Sequence, residues 1–169
     1  MNLYADMINT VREMEQIARL FNIEPFPIYF MGGSACLLGQ YTERATRDFD
    51  FIDLSYPAKL GKVFVHLRDY DILEYESTIL SPRYAERALR ISEFKYLQVY
   101  VLSREDIIVS KIIRLAPKDW EDIDELIKDC DKQLILRIIE EVLQREDLFE
   151  SKREAFIKQL PLFKERYNV

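Results

Sequence analysis

The sequence predicts an α/β chain of the α+β kind: a mixed sheet with flanking helices and a C-terminal helical extension. Three observations carry this. Short apolar runs of strand character alternate with helical segments as far as Leu102. From Ser103 onward only helical periodicity is found. A content of 49% hydrophobic residues, with only 4 Gly and 6 Pro in 169, suffices for a packed core and argues against disorder. The expected organisation is an α/β core over residues 1–102 and a helical extension over residues 103–169 packed on it as one compact unit.

The elements follow in order. Leu3 to Phe21 reads as an amphipathic helix, with Met7, Val11, Met14, Ala18 and Phe21 at helical spacing. Ile28 to Met31 is a short, wholly apolar run that suits a buried strand. Ser34 to Tyr41 reads as a short helix and Asp48 to Leu54 as the second strand. Pro57 opens a further helix, with Leu60, Val63, Phe64 and Leu67 on its buried face. A strand is expected near Ile72–Tyr75, a helix around Pro82–Arg87 and a strand near Leu89–Ser92. Tyr96 to Leu102 is rich in β-branched and aromatic residues and reads as a strand. Ser103 with Asp106 marks a helix start, and Pro117 separates that helix from one running to about Asp129. Asp131 opens a third, whose apolar face is Leu134, Ile135, Ile138, Ile139, Val142 and Leu143. A last helix is expected from Leu148 to Leu160.

A net charge of -6 argues against a uniformly basic nucleic-acid surface and leaves room for a local basic patch. Cys36 and Cys130 have no metal-ligand spacing and read as reduced thiols of a cytoplasmic protein. The opening residues lack a basic segment followed by an apolar run, and no apolar run approaches membrane-spanning length. A cytoplasmic chain with no membrane partner is expected.

The chemistry concentrates in Gly32-Gly33-Ser34 and in Asp48-Phe49-Asp50. On a strand, Asp48 and Asp50 share one face and Phe49 and Phe51 the other. Two neighbouring carboxylates in a partly buried setting repel each other and lose hydration unless a cation lies between them. Mg2+ suits such oxygen donors and keeps positions for water and substrate phosphates. An isolated Asp-x-Asp reads first as a solvated strand end; the glycine turn upstream tips the reading to a metal site. Gly33 and Ser34 follow a strand and open a helix, where backbone N–H groups attract phosphate and glycine permits close approach. The same turn also serves plain backbone flexibility. Neither the G-x-x-x-x-G-K-[ST] loop nor the G-x-G-x-x-G fingerprint is present. Lys111 interrupts an apolar stripe of Ile107, Ile108 and Leu115; it either snorkels to water or delivers charge to a ligand. Asp119 and Asp122, near a helix start, are suited to capping. Arg44 either contacts phosphate or pairs with a carboxylate, and His66 reads as a packing residue.

The run Gly32-Gly33-Ser34…Arg44-Ala45-Thr46-Arg47-Asp48-Phe49-Asp50 resembles the signature of the nucleotidyltransferase superfamily, the DNA polymerase beta-like fold. Leu102-Ser103-Arg104-Glu105-Asp106-Ile107-Ile108-Val109-Ser110-Lys111, then Pro117-Lys118-Asp119-Trp120-Glu121-Asp122-Ile123, resembles its small bacterial and archaeal branch that includes AbiEii-type toxins. The resemblance implies a nucleotidyltransferase-like sheet and transfer of a nucleoside monophosphate from an NTP to an acceptor hydroxyl, the acceptor being RNA, protein or a small molecule. It implies Mg2+ on Asp48 and Asp50. It implies phosphate contacts from Gly32, Gly33, Ser34, Arg44, Thr46 and Lys118, and catalytic roles for Lys111 and Asp119. Members of the superfamily usually supply a third carboxylate from a later strand. The strand best suited, Tyr96–Leu102, offers Gln98 and Tyr100 instead, with Glu93, Asp71 and Glu74 as alternatives. That departure, with the helical tail, motivates an alternative: a weak or inactive nucleotide-binding module that docks a partner, such as an antitoxin-like protein of a toxin–antitoxin pair.

Overall fold

The computed structural model describes residues 2–43 and 46–169. Two compact units make up the chain: Met1–Leu73 with Ala88–Leu102, and Glu74–Arg87 with Ser103–Val169.

The first unit opens with α1 (Leu3–Leu20), capped by the Asn2 side chain, which accepts the Ala5 N–H. Met7, Ile8, Val11, Met14 and Ala18 form its buried stripe. Phe21, expected on that stripe, is exposed. The helix ends at Leu20 and the chain turns through Asn22 at a φ of 53°, which carries Phe21 off the face.

Five strands form one sheet: β1 (Pro27–Met31), β2 (Phe49–Ile52), β3 (Tyr70–Leu73), β4 (Leu89–Arg90) and β5 (Gln98–Val101), in the order β3-β2-β1-β5-β4. The central β1 is antiparallel to β2 and parallel to β5; β2 and β3 are parallel, and β4 and β5 antiparallel. Between β1 and β2 lies α2 (Gly32–Leu38), which starts two residues before the expected Ser34. A parallel neighbour needs a crossover. From β2 to β3 it runs through a 3₁₀ turn (Ala58–Leu60), α3 (Gly61–Phe64) and a second 3₁₀ turn (Val65–Leu67). Leu60, Val63, Phe64 and Leu67 are all buried, as their spacing predicts. Pairing places β3 two residues earlier than expected, because its register with β2 runs from Phe49↔Tyr70 to Ile52↔Leu73.

The two faces of the sheet differ. One buries Ile28, Phe30, Phe49, Phe51, Val99 and Val101. Phe51 there meets Phe64 of α3 with ring centroids 5.0 Å apart. On the other face, Met31 and Ile52 are buried, while Tyr29, Asp50, Gln98 and Tyr100 are half-buried.

The second unit holds α4 (Tyr84–Arg87), α5 (Arg104–Ile112), α6 (Pro117–Leu126), α7 (Lys132–Leu143) and α8 (Glu150–Tyr167). The expected starts hold: Ser103 Oγ accepts the Asp106 N–H at 3.1 Å, and Asp131 Oδ1 accepts those of Gln133 and Leu134. The last helix starts two residues later than expected and runs past Leu160 through Pro161. A proline inside a helix costs about 3 kcal/mol. Burial of Phe163, with Tyr167 5.1 Å from it and 6.2 Å from Trp120, offsets this. The segment Glu74–Arg87 belongs with these helices. Buried Arg145 donates to the carbonyls of Tyr75, Thr78 and Leu80 and lies 3.8 Å from the centroid of the Tyr75 ring. Arg87, in turn, makes a two-pronged pair with buried Asp106 at 2.9 Å.

Candidate functional site

The glycine turn is built against β2. Gly32 has a φ of +60°, a left-handed conformation that side-chain-bearing residues rarely adopt. A Cβ on it would also lie 2.9 Å from Asp50 Oδ2. A Cβ on Gly33 would meet the Thr46 side chain at 3.2 Å. Two glycines therefore leave bare backbone between a carboxylate and a hydroxyl. The first N–H groups of α2 have no acceptor within the helix, and Met31 offers no side-chain cap. Ser34 is fully buried, and its hydroxyl is engaged inside the protein. It donates to Met31 O at 2.8 Å and accepts the Asp50 N–H at 3.2 Å. Ser34 thus joins the turn to the strand that carries Asp50.

Asp50 lies within β2 and is half-buried; Asp48 lies just before the strand and is exposed. The expected strand Asp48–Leu54 is shorter at both ends, so Asp48 sits in the approach to the sheet. Its N–H donates to Thr46 Oγ1 at 3.4 Å. The register then brings in a residue that was only one alternative among several. Asp71 of β3 is the partner of Asp50, and sheet partners project to the same face. By contrast, β5, with Gln98 and Tyr100, pairs with β1 on the side away from β2. Glu93 is held by Arg12, whose Nη2 donates to it at 2.8 Å. The signal for Asp71 was its place in Tyr70-Asp71-Ile72-Leu73, an acid inside an otherwise apolar strand. Its register was hidden because the crossover length had to be known first.

The donor set suits Mg2+. Asp48 and Asp50 are hard oxygen donors, and Asp50 Oδ2 lies against the backbone of Gly32, where a Cβ would come within 2.9 Å of it. Among the described residues, no group of three or more His, Cys, Asp or Glu is placed to hold a metal ion together. Arg44 lies outside the described residues.

Three candidates belong to the helical unit. Lys111, on α5, is only 10% exposed at its side chain and does not snorkel to water. Its Nζ lies 3.0 Å from Asp122 and 3.8 Å from Asp119. Buried Asp119 accepts two bonds from Arg114 at 2.7 Å and reaches back to the Ala116 N–H at 2.8 Å, the capping expected of an acid at that position. Burial raises the Asp119 pKa. The bonds from Arg114 and Ala116, with the charges of Arg114 and Lys111, outweigh this and hold it below the usual carboxylate range. Lys118, one residue earlier on α6, is exposed. The structure thus gathers Gly32, Gly33, Ser34, Thr46, Asp48 and Asp50 in the sheet unit, and Lys111, Lys118 and Asp119 in the helical unit.

Among the described residues, no helix is long and apolar enough to cross a membrane. The sequence model of a family described as "Nucleotidyltransferase of unknown function (DUF6036)" matches residues 7–167. No curated protein and no solved structure gives a significant match.

Proposed function

The chain belongs to the DUF6036 family of nucleotidyltransferases of unknown function, and on that premise we propose that it transfers a nucleoside monophosphate from an NTP to an acceptor hydroxyl. The observation that supports this reading best is the approach of Gly32 to Asp50: bare, left-handed backbone directly beside a half-buried carboxylate. A polyphosphate laid over Gly32 and Gly33 would have Thr46 on one side and Asp50 on the other. Asp48 and Asp50 would hold Mg2+, which when bound neutralises phosphate charge and polarises the phosphorus under attack. Asp71, the register partner of Asp50, would take the proton as the acceptor oxygen bonds to the α-phosphorus and pyrophosphate leaves. In the helical unit, Asp119 orients Lys111 and Arg114, and Lys111, Lys118 and Asp119 are that unit's catalytic and phosphate-contact candidates. The buried Cys36 and half-buried Cys130 suit a reducing, cytoplasmic setting.

A second reading keeps the nucleotide pocket without turnover. It makes the chain a sensor or docking subunit, for example beside an antitoxin-like partner, in line with the likeness of residues 102–111 to the AbiEii-type branch. The containment of Lys111 by Asp119 and Asp122 favours it, because both carboxylates draw on its charge.

Incubation with Mg2+, an α-labelled NTP and panels of RNA, protein and small-molecule acceptors separates the two. Label transfer with pyrophosphate release, lost in the Asp48→Asn/Asp50→Asn double variant at unchanged thermal stability, supports the transferase. NTP binding without release, across all acceptors, supports the module. Equal transfer by the double variant contradicts the mechanism.

A further inference from the structure

The sheet face that carries Asp50 also carries an aromatic pair that the chemistry above does not use. Tyr29 on β1 and Tyr100 on β5 are register partners, and their rings stack with centroids 4.7 Å apart and planes 14° from parallel. Arg90 of β4 is the register partner of Tyr100, and its guanidinium lies 5.9 Å from the Tyr100 centroid. A cation, a ring and a ring therefore stand side by side on three adjacent strands.

This ladder shares a face and a phase with the carboxylates. Met31 is the partner of Asp50, and Tyr29 lies two residues before Met31 on the same side of β1. Two residues of strand span about 7 Å. That is close to the reach of a ribose between an α-phosphate and its base. The rings also differ from the packing aromatics of this sheet. Phe30 and Phe51, on the opposite face, are fully buried, whereas Tyr29 and Tyr100 keep surface in contact with solvent and Arg90 is exposed. Half-exposed phenol rings backed by a guanidinium are the kind of surface on which flat heteroaromatic rings rest, largely irrespective of base identity.

We propose that Tyr29 and Tyr100, with Arg90 behind them, form a nucleobase-binding site beside Asp50. The inference rests on the proposed function, since the phosphates at Gly32 and Asp50 set where the base falls. A base can arrive from the NTP or from the terminal nucleotide of an oligonucleotide acceptor; both present the same chemistry.

Calorimetry in Mg2+ with three probes tests this: inorganic tripolyphosphate, the four NTPs, and a short single-stranded oligoribonucleotide. The variants are Tyr29→Leu and Tyr100→Leu, with Tyr29→Phe and Tyr100→Phe retaining the ring. The expected result is a loss of NTP affinity of about tenfold to a hundredfold in the Leu variants. Tripolyphosphate affinity should stay unchanged, and the Phe variants should bind NTP like the parent. A loss confined to the oligonucleotide supports the site and assigns the base to the acceptor. Unchanged affinity for NTP and oligonucleotide, with tripolyphosphate still bound, overturns the nucleobase site alone. A parallel loss for all three probes also overturns it, because a merely structural pair would weaken every ligand together. Failure of the parent to bind tripolyphosphate contradicts the proposed function; the nucleobase site then stands only if ring-dependent oligonucleotide binding persists, and otherwise falls with it.

Discussion

Asp50 on β2 and Asp71 on β3 are register partners in a parallel strand pair and project from the same face of the sheet. Neighbouring strands run about 4.8 Å apart, so two like charges are held near each other by backbone hydrogen bonding alone. Asp50 stands beside the glycine turn, where a Cβ on Gly32 would lie 2.9 Å from its Oδ2.

Asp71→Asn should therefore lower labelled-nucleotide transfer by about a hundredfold or more. Its thermal midpoint should stay close to the parent's, because Asp71 is an exposed side chain. Glu93→Gln, at a carboxylate paired with Arg12, should leave transfer unchanged. Parallel transfer assays and melts check both. Full activity in Asp71→Asn would remove this residue from the site.

Gly32→Ala should destabilise the protein by about 1–2 kcal/mol, from the left-handed backbone alone. It should also impair transfer, since the new methyl would lie 2.9 Å from Asp50 Oδ2. Gly61→Ala is the matched control: its φ is -55° and nothing lies within 4 Å of the added Cβ. Denaturant titration should find that variant as stable as the parent, or more so by about 0.5–1 kcal/mol.

Asp119 gives a pH dependence with a defined sign. Its folded pKa is lowered by Arg114, the Ala116 N–H and Lys111, against the raising effect of burial. Its contribution is complete above the unfolded carboxylate value of about 3.9 and is lost as pH falls through the lower folded value. Asp119→Asn should cost about 1.5–3 kcal/mol at pH 7, by removing the buried carboxylate that accepts charge-assisted bonds from Arg114 and lies beside Lys111. The gap from the parent should narrow below about pH 4. Denaturant midpoints measured between pH 7 and pH 2 read this directly, and a constant gap would contradict it.

The Cys130 thiol is pushed up to about 12 by burial and by the charge of Glu105, and its Sγ donates to Leu126 O at 3.1 Å. At pH 8 its alkylation by iodoacetamide should be slower than that of a free thiol by at least about tenfold. Mass spectrometry of timed samples measures the rate; rapid labelling of Cys130 in the folded protein would contradict the assignment.

Much of the fold was legible because its signals are local. The Ser103 and Asp131 caps, the buried stripe of the β2–β3 crossover and the strand at Gln98–Val101 all follow from short-range pattern. The glycine turn and Asp50 within β2 were legible for the same reason, whereas Asp48, expected in the strand, lies just before it. What escaped depends on distant residues. Arg145 holds the carbonyls of a segment some seventy residues earlier, and nothing within Glu74–Arg87 announces this. Burial of Phe163 carries α8 through Pro161 against local propensity. Ser34 was expected to face phosphate, and its hydroxyl is shared between Met31 and Asp50, a bond that exists only once β2 is in place. The same pairing step sets Asp71 next to Asp50.

The most direct measurement is calorimetric titration of a non-hydrolysable NTP analogue in the presence and absence of Mg2+, for the parent and for Asp50→Asn. Saturable binding that requires Mg2+ in the parent and is lost in the variant, with both proteins melting alike, is the expected outcome. Binding of equal strength without Mg2+, or undiminished in Asp50→Asn, would contradict a cation bridging this carboxylate to a polyphosphate at the glycine turn.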